Sequence, residues 1–159
     1  MTFREAVEAT AAIAASFADG LQALSEVDRG RLTISYPRRL RGSVNIDDAL
    51  RGRDPKEFRW DYGIGLGAGQ GDEHALWIEV HSANSLHIDT VVKKRRWLRQ
   101  WLDTEGAAMK EITPRSNYVW LASGSVALPK DSPQRKRLAM EGIGFRSKRL
   151  NLDEFLPGS

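Results

Sequence analysis

Arg59-Trp60-Asp61-Tyr62-Gly63-Ile64, answered by Leu76-Trp77-Ile78-Glu79-Val80-His81, is the stretch that decides the fold. In the first arm Trp60, Tyr62, Ile64 and Leu66 take alternate positions, with Arg59, Asp61, Gly63 and Gly65 between them. In the second arm Leu76, Ile78 and Val80 alternate with Trp77, Glu79 and His81. Side chains on a strand alternate between faces, so the two arms predict a β-hairpin with one apolar and one mostly polar face. Folded symmetrically about Gln70, the hairpin sets Asp61 opposite Glu79, where Cβ atoms stand roughly 4.5–5.5 Å apart. His81 follows two residues along the same face. Carboxylates that close repel unless a cation or a shared proton offsets them.

Upstream, Phe3, Val7, Thr10, Ala14, Phe17, Leu21 and Leu24 recur at intervals of four and three, which predicts an amphipathic helix from about Thr2 to Ser25. Leu32 to Tyr36 reads as a short strand closed by Pro37, followed by a basic loop, Arg38 to Arg41. Ser43 to Leu50 fits either a short strand or a helix start capped by Asp47, and Arg51 to Pro55 a loop. The hairpin connection, Gly65-x-Gly67-x-Gly69-x-Gly71 with Asp72 and Glu73, is long, glycine-rich and expected to be mobile.

Downstream, Ser82 to Ser85 supply capping residues for a helix from about His87 to Asp103, with Ile88, Val91, Val92, Leu98, Trp101 and Leu102 on its apolar side. Lys93 to Arg96 spread basic charge over its exposed surface. Gly106 and Pro114 bracket a connection, and Tyr118 to Ala122 has the length of a buried strand. Ser132-Pro133 opens a helix that stops at Gly142, and Phe145 to Leu152 gives a last short strand before a frayed tail. The expected architecture is α/β: a mixed central sheet in helix-strand-strand-strand-helix-strand order. Its core runs over about 2–123 of a single domain 1–159, with an extra helix and short strand in 124–159.

With 159 residues, 41% of them hydrophobic and 28% charged, the chain has the balance of a soluble globular protein. It has no cysteine, which excludes disulfides and thiolate metal sites and suits a cytoplasmic setting. No run approaches the ~18 apolar residues of a membrane helix, so no membrane partner is expected. Net charge is only +3, yet the basic residues cluster, most densely in Lys93-Lys94-Arg95-Arg96-x-x-Arg99. Such clusters attract polyanions where they gather on one surface, and otherwise form solvated helix faces.

Gly63-x-Gly65-x-x-Ala68 fits a dinucleotide fingerprint as a string, but a second strand follows where a helix must open. No phosphate loop and no nucleophile elbow is present, Gly124-Ser125 alone names no nucleophile, and no organic cofactor is expected. His74, His81 and His87 lie near the hairpin, but their spacing matches no metal-ligand motif. The carboxylate pair is the stronger candidate. Asp61 and Glu79 on adjacent strands offer hard oxygen ligands to Mg²⁺ or Mn²⁺. The competing reading is a solvated hairpin face whose charges need no function. Trp77 and the glycines share that face, however, which implies that it is partly covered.

In these features the chain resembles the PD-(D/E)XK, or restriction-endonuclease-like, nuclease superfamily. Its core order is the one read above, and its motif is an Asp at the end of the second strand, then Asp/Glu-x-Lys on the third. The resemblance implies a metal-dependent nuclease with Asp61 and Glu79 as metal ligands. It departs at two positions: His81 stands in place of the lysine, and Trp60 in place of the proline before Asp61. His81 would then act as base or ligand, or Lys93 or Lys94 would reach back from the following helix to position or activate water. Arg95, Arg96 and Arg99 would hold a nucleic-acid substrate. Trp97 would pack on the sheet, its favoured role, or stack on a base. The alternative is a non-catalytic module of the same fold that binds nucleic acid or a protein partner, such as an immunity or antitoxin factor.

Overall fold

Gly63 and Gly65 lie in the strand because their neighbours leave no room for a side chain. A Cβ on Gly65 would stand 2.4 Å from the Phe3 ring, and one on Gly63 2.9 Å from Trp77. The sheet face that carries Asp61 and Glu79 is therefore a packed interior and not a solvated surface. The computed structural model describes residues 1–53, 56–83, 87–124 and 128–158. The expected cap at Asn84 and Ser85, the loop residues Asp54 and Pro55, and Ser125 lie outside them.

The chain begins with α1 (Phe3–Glu8), a 3₁₀ turn (Ala11–Ser16), α2 (Glu26–Arg29) and β1 (Leu32–Thr33). Next come a 3₁₀ turn (Pro37–Arg39), β2 (Leu40–Asn45), α3 (Ile46–Leu50), β3 (Tyr62–Gly67) and β4 (Glu73–Ser82). Then follow α4 (Ile88–Asp103), α5 (Ala107–Glu111), β5 (Tyr118–Ser123), α6 (Pro133–Met140), β6 (Gly144–Ser147) and β7 (Leu150–Asn151), with a final 3₁₀ turn at Leu152–Phe155. Five strands form one mixed sheet in the order β2-β3-β4-β5-β6, and β1 pairs with β7 in a separate two-stranded sheet. The β2/β3 and β3/β4 pairs are antiparallel, whereas β4/β5 and β5/β6 are parallel. The chain is thus a mixed α/β protein, and no helix among the described residues is long and apolar enough to cross a membrane.

Both faces of the sheet are covered. On one, α1, α4 and α6 pack over Val44, Ala75, Trp77, Trp120 and Phe145. On the other, Leu24, Leu150 and Leu152 cover Tyr62, Ile64, Leu66, Leu76, Ile78 and Leu121. This arrangement breaks the expected 2–25 helix. Phe3 and Val7 belong to the first face, while Leu21 and Leu24 belong to the second. No straight helix serves both, so the chain bends over the β2 edge, where Ala18 and Ser43 exchange two backbone hydrogen bonds of 2.9 Å.

Other boundaries move for similar reasons. Only Leu32 and Thr33 of the expected 32–36 strand pair, and they pair outside the main sheet. The first of the main-sheet strands before α4 is β2, which takes in the end of the expected Arg38–Arg41 loop. The 43–50 segment is strand then helix, and Asn45, not Asp47, caps it by accepting from Asp48 N–H. The glycine-rich connection shrinks to 68–72, which puts His74 in β4. A short helix, α5, occupies the stretch between Gly106 and Pro114. At the C-terminus, the extra strand is two: β6 joins the main sheet and β7 does not.

Candidate functional site

The hairpin register is the expected one. Tyr62 pairs with Ile78 and Ile64 with Leu76, a phase that carries on to Asp61 opposite Glu79. Asp61 sits just before β3, anchored from two sides. Its carbonyl accepts from Ile46 N–H at 3.0 Å, which ties it to α3. Its carboxylate oxygen Oδ2 accepts from Val80 N–H at 3.0 Å, which ties it to β4.

Glu79 is fully buried beneath α4. Its Oε2 accepts from the Lys94 ammonium at 2.6 Å, and its Oε1 is buried with no hydrogen-bond partner. Lys94 reaches it from the flank of a helix whose Val91 and Leu98, a turn to either side, are seated in the core. Its aliphatic stem runs along apolar surface and its ammonium ends inside. A buried carboxylate oxygen without a donor is costly, and few native groups are left so.

The electrostatics follow from two carboxylates sharing one cation. Burial, with the nearby Asp61 charge, raises the Glu79 carboxyl well above the usual range, and the Lys94 charge and hydrogen bond only partly counter it. Burial likewise raises Asp61 to about 6 against the pull of Lys94 and of the Val80 N–H. Desolvation works against the Lys94 ammonium, but the Glu79 and Asp61 charges prevail and raise its pKa. The cluster thus keeps Lys94 charged and takes up protons on its carboxylates more readily than free side chains do. Asp47, paired with Arg59 at 3.1 Å and Arg51 at 3.0 Å, adds to the negative potential.

His81 is half-buried at the end of β4, and burial, then the Lys94 and His87 charges, lower its pKa. The indole N–H of Trp120 donates to its carbonyl at 2.9 Å. Its ring meets that of His87 edge-on, 4.5 Å between centroids. His87 Nδ1 lies 2.6 Å from the Ser82 carbonyl, which only accepts, so Nδ1 carries the proton there.

The structure therefore brings Asp61, Glu79, Lys94 and His81 together. It separates the other expected residues from them. Lys93 points outward, its ammonium 5.1 Å over the Phe58 ring. Residues two apart on a helix are turned about 200° from each other, and Arg96 accordingly faces away from Lys94 and pairs with Glu141 at 2.6 Å. Arg95 is buried over Tyr118, and Arg99 lines a cavity beside it. Trp97 stacks on Trp101 of the same helix, 6.2 Å between rings at 13°, and is partly buried against the core. His74 lies at the far end of β4 from His81 and shares no site with it.

Two features escaped the sequence reading: Asp47 near the pair and the burial of Arg95. For Arg95 a signal existed, because position 95 falls on the same helical arc as Ile88, Val91, Val92, Leu98 and Leu102.

The donor set fits a hard divalent cation. Two carboxylates with one unpartnered oxygen between them suit Mg²⁺ or Mn²⁺, which bind through one or two carboxylates and keep waters and substrate phosphates in their other positions. Among the described residues no group of three or more His, Asp or Glu is placed to hold a metal ion, so a cation here would have only these two side chains as protein ligands and would need water or substrate oxygens for the rest. Compared with protein-family models, with curated proteins and with solved structures, the chain finds no match in any of the three.

Proposed function

We propose that this protein is a divalent-metal-dependent phosphodiesterase of the restriction-endonuclease-like type, acting on nucleic acid. One observation carries the reading: Lys94 places its ammonium 2.6 Å from the Glu79 carboxylate, with Asp61 opposite in the strand register. In this reading Lys94, from the neighbouring helix, takes the part of the lysine absent from position 81. Along the main sheet the order β2, β3, β4, α4, β5 is compatible with that assignment, although α2 and β1 stand between α1 and β2, α3 between β2 and β3, and α5 between α4 and β5.

In this reading Asp61 and Glu79 hold the cation. When bound, it would polarise the phosphodiester and make water a stronger nucleophile. Lys94 fixes the orientation of Glu79 and offsets charge beside it. His81 stays neutral near pH 7 because burial and Lys94 disfavour its cation, so it is able to accept a proton from water.

A second reading, a non-catalytic binding module of the same architecture, is favoured by the ammonium that already engages Glu79 Oε2 and by the lack of a third ligand side chain among the described residues. The two separate in one assay: plasmid DNA and single-stranded RNA incubated with Mg²⁺ or Mn²⁺, for wild type and for Asp61→Ala. Cleavage by the wild type, lost by at least a hundredfold in the variant, supports the enzyme. Nucleic-acid binding without cleavage, equal in both proteins, supports the module.

A further inference from the structure

The flank of α4 turned away from Lys94 borders a second cluster. Between α4, α5 and the start of β5 lies a cavity of about 390 Å³, lined by Arg95, Arg99, Lys110, Arg115, Asp103 and Tyr118. Four cationic side chains face one carboxylate there, and Asp103 is already paired with Lys110 at 2.5 Å.

Arg95 is the informative member. It is only 7% exposed, yet its Nε and Nη1 are buried with no hydrogen-bond partner. Its guanidinium carbon sits 3.7 Å from the Tyr118 ring centroid. Stacking of that kind is favourable, and more so when desolvated. It engages the flat face of the guanidinium, however, whereas the N–H bonds lie in its plane and stay unsatisfied. The two carboxylates that bear on Arg95 through their charges are engaged elsewhere, Glu141 by Arg96 and Asp103 by Lys110. Desolvation accordingly lowers the Arg95 pKa from its ordinary value. A buried cation is expensive to maintain unless a nearby anion offsets its charge.

The chemistry narrows the anion. The Thr113 hydroxyl on the cavity wall is already engaged, donating to the Met109 carbonyl at 2.7 Å and accepting from the Trp77 indole at 3.1 Å. Recognition therefore falls to the guanidinium forks of Arg99 and Arg115, which match phosphate oxygens in pairs, with the Arg95 charge in the cavity wall behind them. Three guanidinium groups without a free carboxylate among them balance a dianion better than a monoanion. A volume near 390 Å³ exceeds a bare phosphate and leaves room for a small organic part.

We infer that this cavity is a binding site for a phosphomonoester, held by Arg99 and Arg115 with the Arg95 charge behind them. The inference does not depend on cleavage at the carboxylate cluster. The phosphate would belong either to a free nucleotide-sized ligand or to the end of a nucleic-acid strand.

The test is a titration with inorganic phosphate at pH 7.5, ionic strength held constant with chloride, followed by thermal unfolding and calorimetry. Wild type should show saturable stabilisation by phosphate. Arg95→Gln should weaken the apparent affinity at least tenfold. Arg99→Gln and Arg115→Gln, both exposed and safe for folding, should each weaken it severalfold and decide the matter if Arg95→Gln fails to fold. Competition by adenosine monophosphate would assign the site to a small ligand. Tenfold preference for a 5′-phosphorylated over a 5′-hydroxyl oligonucleotide would assign it to a strand end. Stabilisation no greater than that of chloride, or equal in wild type and all folded variants, would overturn the proposal.

Discussion

Asp61 is a carboxylate held largely out of water with a second carboxylate at its side, and its raised pKa has a definite sign in stability. Its folded value, about 6, exceeds its ordinary 3.8, so the native state binds more protons than the unfolded chain between those values. Its contribution is therefore fully present below about pH 4 and lost as pH rises through about 6. Two pK units correspond to roughly 3 kcal/mol. Asp61→Asn removes the ionised form while keeping an oxygen for the Val80 N–H. The variant should melt several degrees above wild type at pH 8, and the difference should vanish near pH 4. A melting difference that does not change with pH would contradict this account. At the same scale, the opposition of Asp61 and Glu79 was legible in the sequence, because hairpin symmetry fixes register. The choice of Lys94 over Lys93 was not, since one residue of helical phase, about 100°, separates a buried ammonium from an exposed one.

At the scale of elements, the site depends on how closely α1 and α4 approach the sheet. Thr2 and Glu5 form a capping box that starts α1, and Phe3, its first residue, lies on Gly65 of β3. A methyl at that glycine would meet Phe3 ring carbon at 2.4 Å. Gly65→Ala should then cost about 1–3 kcal/mol through overpacking, measured as a lower urea midpoint with an unchanged slope. An unchanged midpoint would mean that α1 is not seated as described. The helical pattern of α4 was readable because its apolar residues serve one face throughout, and α6 because Ser132-Pro133 marks its start and Gly142 its stop. The 2–25 stripe misled because periodicity reports which residues are buried and not on which side of a sheet. Phe3 and Leu24 are both buried, on opposite faces. Likewise Trp77, Glu79 and His81 read as the polar side of a hairpin, whereas Glu79 is fully buried because α4 covers that face.

For the whole molecule, the carboxylate cluster lies where the sheet changes character. β3/β4 is antiparallel, and β4/β5 is parallel with α4 as the crossover. The crossover brings a lysine of α4 back over the carboxylates of the hairpin, and it turns the neighbouring arginine toward a separate cavity. The α/β class was legible from the alternation of strand and helix patterns. The distribution of basic charge was not, because a run such as Lys93 to Arg99 is divided by helical phase among a buried ion pair, a buried cation and the solvent.

The central claim is that Asp61 and Glu79 form a cation site, and a calorimetric titration with Mn²⁺ addresses it without any assumption about substrate. Wild type at pH 8 should bind one equivalent, and Asp61→Ala/Glu79→Ala, checked for folding by circular dichroism, should bind none. The wild-type affinity should fall by tenfold or more from pH 8 to pH 6, since protons compete for two carboxylates whose pKa values are raised. Absence of Mn²⁺ binding by the wild type, or equal binding by the folded double variant, would contradict the account.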